Sequence, residues 1–470
     1  MPAAAAAQTI AVHVCTAPPS PCVAALAPPR VTWRTHVSLF LLALVYIFSF
    51  IDRQVIAVLI EPIKHEFGAT DTQMGLLSGL AFGLLYALLG VPVGKLADTY
   101  NRRNIVAVCC GLWSLATLAC GMAAQFWQLL LARMSVAIGE AGGMAPSISI
   151  VSDLYPKERR SFAISLFMMG PNLGVLIGLA LGAWIAQNYG WRVTFAAFGI
   201  PGMLLALLVW WWVQEPRRGG FEVAAAPAPQ PAATSAERES LWQQVGRLLR
   251  LKAFRRLALA CGFAGLVGYG YSVWIPSFLV RSHGLSLAHA GLLFGVASGT
   301  GAVVGAMFAG WWCDRLVRRS EGWQLGLPGL GLLASLPCAM AFILWPEGGA
   351  WQWGSLRVPH AMVFALLFGF FASWWPALSY SAISQMVGAS ERAVAAALLN
   401  FFITLFGSGF GPLVTGILSD LLLPRLGDSA LRWALVALMA LLLPSAIWML
   451  ATVRPYLERR RGMAATAASA

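Results

Sequence analysis

Gly94-Lys95-Leu96-Ala97-Asp98-Thr99-Tyr100-Asn101-Arg102-Arg103 closes one long apolar run, and 216 residues later Gly310-Trp311-Trp312-Cys313-Asp314-Arg315-Leu316-Val317-Arg318-Arg319 closes another. One motif repeated at the ends of two apolar blocks points to a duplicated membrane bundle. A small residue lets a neighbouring helix come close, and an acid followed by an Arg pair can bond a helix N-terminus or the cations beside it. Gly94, Asp98, Arg102 and Arg103 are therefore expected to form half of a cytoplasmic gate latch. Gly310, Asp314, Arg318 and Arg319 are expected to form the other half.

Composition sets the class. Charged residues make up 11% of the chain and hydrophobic ones 59%, with a mean hydropathy of +0.72, whereas soluble chains carry about 25% charged residues. An all-α integral membrane protein is expected. A crossing needs about 20 apolar residues in helix, and twelve such runs occur, from Val37–Ile60 to Trp433–Val453. They read as two pseudo-symmetric six-helix halves. The runs are continuously apolar, without the period of two that a barrel strand needs. The expected organisation is a disordered cytoplasmic tail at 1–33, a six-helix bundle at 34–216, a linker with a short basic amphipathic helix at 217–256, a second bundle at 257–454 and a cytoplasmic tail at 455–470.

Placing both termini in the cytoplasm puts most basic residues on that side. Only Lys64, Arg192, Arg281, Arg357, Arg425 and Arg432 fall outside, with Arg53 and Arg133 inside helices. The net charge of +13 then reflects orientation and attraction to anionic membrane lipid. No base-reading motif accompanies it, so no nucleic-acid partner is expected. Six of the eight cysteines lie in or beside membrane runs, which argues against a disulfide framework. The first thirty residues lack the basic start and apolar core of a signal peptide.

The halves echo each other again at Gly170-Pro171-Asn172-Leu173-Gly174 and Gly409-Phe410-Gly411-Pro412, candidate seams on which one half rocks against the other. Twelve helices, a central linker and the repeated Gly-x-x-x-Asp turn resemble the major facilitator superfamily. Phe50-Ile51-Asp52-Arg53, Asp98 with Asn101-Arg102-Arg103, Arg133 with Gly139-Glu140-Ala141, and Trp274-Ile275-Pro276-Ser277-Phe278 are similar to its spinster branch. Thr99 stands where that branch usually has a basic residue, and Ala137 where it usually has Gly. The resemblance implies a monomeric, multi-pass transporter of the cell membrane with a small-molecule or lipid-like substrate. Animal members of the branch export sphingolipid and lysophospholipid, and proton coupling is implied for some.

Four ionisable residues lie deep: Asp52, Arg53, Arg133 and Glu140. Each costs at least ~2.5 kcal/mol to insert, so all four are functional candidates. Arg133 and Glu140 are two helical turns apart and share a face. In a fold of this kind, the first and fourth helices bring them to Asp52 and Arg53. Asp52 and Glu140 are the candidate proton carriers, since arginine does not titrate. Arg53 and Arg133 are the candidate partners of an anionic head group, which the planar guanidinium suits.

In the second half, Tyr269, Tyr271, Trp274, Trp374, Trp375, Ser379, Tyr380, Ser381, Gln385 and Asn400 are the candidate cavity residues, and none is charged. Trp274, Trp374, Trp375, Tyr380 and Asn400 are the chosen substrate contacts. An ionic wall facing an aromatic one suits an amphiphile. Export of a drug or small anionic metabolite is the alternative within transport, and a non-transporting membrane sensor or scaffold the alternative outside it. No metal-binding cluster, Walker lysine or nucleophile elbow occurs, so neither enzyme chemistry nor a cofactor is expected.

Overall fold

The computed structural model describes residues 31–218, 241–354, 356–388 and 391–469. The expected tail at 1–33 and linker at 217–256 therefore fall largely outside the described residues. Lipid cannot hydrogen-bond a backbone, so each crossing must satisfy its own amides as a helix. The first half consists of α1 (Trp33–Phe67), α2 (Asp71–Ser78), α3 (Leu80–Thr99), α4 (Arg102–Gly121), α5 (Phe126–Glu140), α6 (Met144–Leu154), α7 (Lys157–Met168), α8 (Gly170–Tyr189) and α9 (Trp191–Trp212). Breaks at Gly79, at 141–143 and at Met169 leave α2–α3, α5–α6 and α7–α8 as single interrupted crossings. α10 (Leu241–Arg250) follows and packs beneath the second half, against the helices Lys252–His283 and Arg392–Ile403, with Leu248 buried.

The second half comprises α11 (Lys252–His283), α12 (Leu287–Val317), α13 (Trp323–Leu344), a hairpin of β1 (Ala350–Trp353) and β2 (Leu356–Pro359), α14 (Met362–Ala372), α15 (Trp375–Met386), α16 (Arg392–Ile403), a π-helical turn at Thr404–Phe410, α17 (Gly411–Leu426), α18 (Ala430–Ala440), α19 (Leu442–Ala451) and α20 (Val453–Ser469). Eleven helical stretches among the described residues are long and apolar enough to cross a membrane, and the last, Val394–Met463, holds 70 residues. At 1.5 Å per residue that is about 105 Å, room for more than one crossing. Gly427, with φ +52, breaks it, and α18 returns against α17. The crossings among the described residues thus number twelve.

The halves meet where glycine removes the side chain. A Cβ on Gly83 of α3 would lie 2.6 Å from the Gly409 nitrogen, and one on Gly79 would lie 2.7 Å from the Gly409 carbonyl oxygen. α8 meets α12 in the same way, since a Cβ on Gly291 would collide with the Leu179 carbonyl oxygen. The Gly409–Pro412 segment is thus a backbone-to-backbone seam between halves. Its partner segment in α8 instead packs within its own half, with Gly174 against Ile47 and Phe50 of α1.

Candidate functional site

Most of the interdomain hydrogen bonds among the described residues gather at the membrane face opposite the one carrying Trp33 and Tyr456, while Ser272 reaches Gln54 at the cavity below. There Asp71 opens α2, and its buried carboxylate takes Arg281 from α11 at 2.8 and 2.9 Å, Ser419 from α17 at 2.6 Å and Lys64 from α1 at 2.5 Å. Arg281 also holds Glu61, at 2.9 Å through Nε. In return Asp420 accepts the backbone N–H groups of Asp71 and Thr72 at 3.1 and 2.7 Å, an anion seated on a helix N-terminus. Nothing in the sequence pattern announces this seal. Lys64 and Arg281 stand near membrane edges, where charge looks like ordinary solvated loop, and only the meeting of the halves makes them a cluster.

Below the seal, a cavity of about 390 Å³ lies between the halves. The first half contributes Phe50, Arg53, Gln54, Ser78, Phe82 and Arg133. The second contributes no charge, and its larger groups include Tyr269, Phe368, Trp375 and Tyr380. Phe82 stands between the two cations: the Arg53 guanidinium is 5.2 Å from its ring centre and that of Arg133 4.9 Å. Arg53 also lies over Tyr86 at 4.3 Å. Cations over ring faces are stabilised by the ring quadrupole, at about 2 kcal/mol or more when desolvated.

The four deep charges gather, but not as two equal pairs. Glu140, 2% exposed, accepts Arg53 Nε at 2.6 Å and Ser49 Oγ at 2.9 Å through Oε2. Asp52, 3% exposed, lies behind the cavity wall and accepts Thr117 Oγ1 at 3.1 Å. Arg133, also 2% exposed, has no carboxylate within ion-pairing distance among the described residues, and its Nε has no hydrogen-bond partner. An arginine left this way beside a cavity is set to meet an anion that enters it.

On the second-half wall, Trp375 and Tyr380 line the cavity, and Asn400 accepts the Tyr380 hydroxyl at 3.1 Å. Three expected contacts need correction. Asn400 bonds Tyr380 but does not itself line the cavity. Trp374 packs behind the wall among Phe308, Trp312, Phe370 and Phe371. Successive helical residues point about 100° apart, so the neighbour of a cavity residue faces the bundle interior. Trp274 is fully buried, and its indole N–H donates to the Pro412 carbonyl at 2.9 Å. It therefore joins α11 to α17 and does not line the cavity.

The gate motif also departs from expectation. Arg102 is buried and turns into its own half: Nη1 meets Asp153 at 2.5 Å and Ser149 at 2.8 Å, Nε meets Glu215 at 2.9 Å, and Nη2 meets the Pro216 carbonyl at 2.9 Å. Arg103 gives its backbone N–H to Glu215 at 2.8 Å. Arg102 thus braces α4 to α6 and to the segment after α9. Gly94 and Asp98 fall in the last turns of α3, with their side-chain positions outside the described residues. In the second copy, Asp314, Arg318 and Arg319 lie on the surface, and a Cβ on Gly310 would meet open space. The close helix approach expected at Gly310 is not made in this conformation.

Removing a fully buried ion partner costs ~3–5 kcal/mol. Asp153 and Glu215 keep 16% and 25% of their side-chain surface exposed, so Arg102→Ala is expected to cost less, about 2 kcal/mol. A lowered thermal unfolding midpoint in detergent is the expected result. An unchanged midpoint would show that Arg102 is not a brace.

A Major Facilitator Superfamily model matches residues 42–358. An MFS-type efflux pump of Mycolicibacterium smegmatis is 33% identical over 88% of this chain and 90% of its own length. A probable L-galactonate transporter of Escherichia coli is 24% identical over 82% of this chain and 83% of its own. A sphingosine-1-phosphate transporter of Mus musculus is 25% identical over 85% of this chain and 72% of its own. Among solved structures, a bacterial homologue of the human lysosomal transporter spinster, inward-facing and unoccupied, superposes with a TM-score of 0.79 at 28% identity, covering 91% of this chain and 98% of that one. Its occupied form gives 0.73. The chain is a multi-pass membrane protein of spinster-like fold, and it belongs to the Major Facilitator Superfamily.

Proposed function

We propose that the chain is a monomeric, proton-coupled secondary transporter of the cell membrane, moving an anionic amphiphile by alternating access. Both termini face the cytoplasm in this reading, because the basic residues concentrate on the face that carries them. The far-side seal then makes this an inward-facing conformation. The observation that carries the substrate class is Arg133, a buried guanidinium without a carboxylate partner among the described residues, placed on a cavity whose other wall is aromatic and uncharged. Asp52 and Glu140 carry the proton, and Arg53 and Arg133 hold the head group. Trp375 and Tyr380 receive the apolar body. Gln54, Ser78 and Ser272 at the same cavity favour a second reading, a small organic anion with several polar groups.

A series of anionic lysolipids of increasing acyl length separates the two. Arg133→Ala is expected to weaken binding by about 1.5–3 kcal/mol at every length, the usual worth of a charged hydrogen bond. Trp375→Ala is expected to weaken it more as the chain lengthens, at ~25 cal/mol for each Å² of apolar surface that the indole no longer covers. Affinity independent of length in both the wild type and Trp375→Ala would overturn the amphiphile and leave the small anion.

A further inference from the structure

A second, much smaller cavity adjoins the first, with about 10 Å³ for the centre of a single water molecule. Two of its lining residues carry a buried polar atom without a partner: Glu140, at Oε1, and Trp113, at the indole Nε1–H, the residues being 2% and 1% exposed. One is an acceptor and the other a donor. A buried group left unsatisfied bears its full desolvation cost, whereas a water in a polar cavity with two or more partners removes that cost. The cavity also has a direction. Ser147 lies seven residues beyond Glu140 towards the terminal face, and Tyr46 lies seven before Arg53 on the same side. Tyr46 is half-exposed, and its hydroxyl donates to Met144 Sδ at 3.6 Å.

Arg53 lines both cavities. It separates Glu140 from the substrate space while bonding it at 2.6 Å.

We propose that this small cavity is a water site, held by Trp113 and Glu140, through which Glu140 exchanges its proton with the cytoplasm by a route separate from the substrate cavity. The proposal rests on the proton-coupled reading for its role in transport, but not for the water itself. In the release step, the O–H bond at Glu140 Oε1 breaks as the water oxygen takes that proton. One of the water's own protons leaves past Tyr46 to bulk solvent, so the water is restored and a carboxylate remains, paired with Arg53. Trp113 is a positioning residue, orienting the water through its N–H. The ionisable groups around Glu140 are Asp52, Arg53 and Tyr46 from α1, Tyr86 from α3, Cys109 from α4 and Arg133 from α5 itself. α6 and α7 bring only Ser147, Met144 and Phe167 to the cavity.

Infrared difference spectroscopy of the full-length protein in detergent, between acid and alkaline buffer, tests this without a transported substrate. The wild type is expected to show a bound-water O–H band that shifts in oxygen-18 water, coupled to the carboxyl band that Glu140→Gln removes. Ser147→Val fills the cavity and Trp113→Phe removes the donor while keeping a ring. Either is expected to abolish the water band and to slow deuterium exchange of the Glu140 carboxyl about tenfold, the factor that ~1.4 kcal/mol makes. A water band and exchange rate unchanged in both variants would overturn the proposal. Should the band behave as expected while proteoliposomes show no response to a pH gradient, the water site stands and the proton-coupled reading fails.

Discussion

Glu140→Gln is expected to abolish the dependence of transport on a pH gradient while leaving the fold intact. The glutamine keeps the shape and one acceptor oxygen, so Ser49 and Arg53 retain a partner where Oε2 now bonds them at 2.9 and 2.6 Å. It can neither bind a proton nor balance the Arg53 charge. Proteoliposomes with an imposed gradient measure the effect. Stimulation of uptake by the gradient is expected to fall to none, with an unfolding midpoint close to that of the wild type. A variant that keeps wild-type gradient dependence would exclude Glu140 as the proton carrier and leave Asp52, which is equally buried but bonded only to Thr117.

The second large effect is expected at the far-side seal. Outward opening requires Arg281 to leave Asp71 and Glu61, and Asp420 to leave the start of α2. Arg281→Ala removes the cation that holds two carboxylates across the halves. Removing a fully buried ion partner costs ~3–5 kcal/mol, but Arg281 and Glu61 keep 19% and 25% of their side-chain surface exposed and Lys64 still holds Asp71, so the cost is expected to be about 2 kcal/mol, all of it falling on the sealed conformation. At about 1.4 kcal/mol per factor of ten, the outward-open population should rise by roughly thirtyfold. Spin labels at the exposed positions Gln73 and Asp428 report it, as a longer component in their distance distribution. An unchanged distribution would show that the backbone contacts hold the far face closed without the ion pairs. Those contacts are close: a Cβ on Gly416 would collide with the Asp71 carbonyl oxygen.

The residues alone determine the membrane class, the crossings and the deep charges, because lipid imposes local rules. Each crossing must be apolar for its full length and must satisfy its own backbone, so its run is visible without knowing its neighbours. A charge inside such a run is costly enough to stand out as a candidate. Asp52, Arg53, Arg133 and Glu140 are legible for that reason, and so is the uncharged character of the second-half wall.

Whatever depends on a partner far along the chain was decided only by the tertiary structure. Arg102 reads as half of a gate because Asp98 stands four residues away, yet its partners are Asp153 and Glu215, 51 and 113 residues distant. Trp374 and Trp375 are indistinguishable as letters, and only the course of the helix puts one behind the wall and the other on the cavity. Asp71, Arg281 and Asp420 carry no local signature, since a charge near a membrane edge costs little whether or not it meets a partner. Their role comes from the close approach that Gly79, Gly83 and Gly416 allow between the halves. The pairing of Arg53 with Glu140, which leaves Arg133 without a carboxylate, likewise follows from how α1, α3 and α5 pack around Phe82, a geometry that spacing along one helix does not contain.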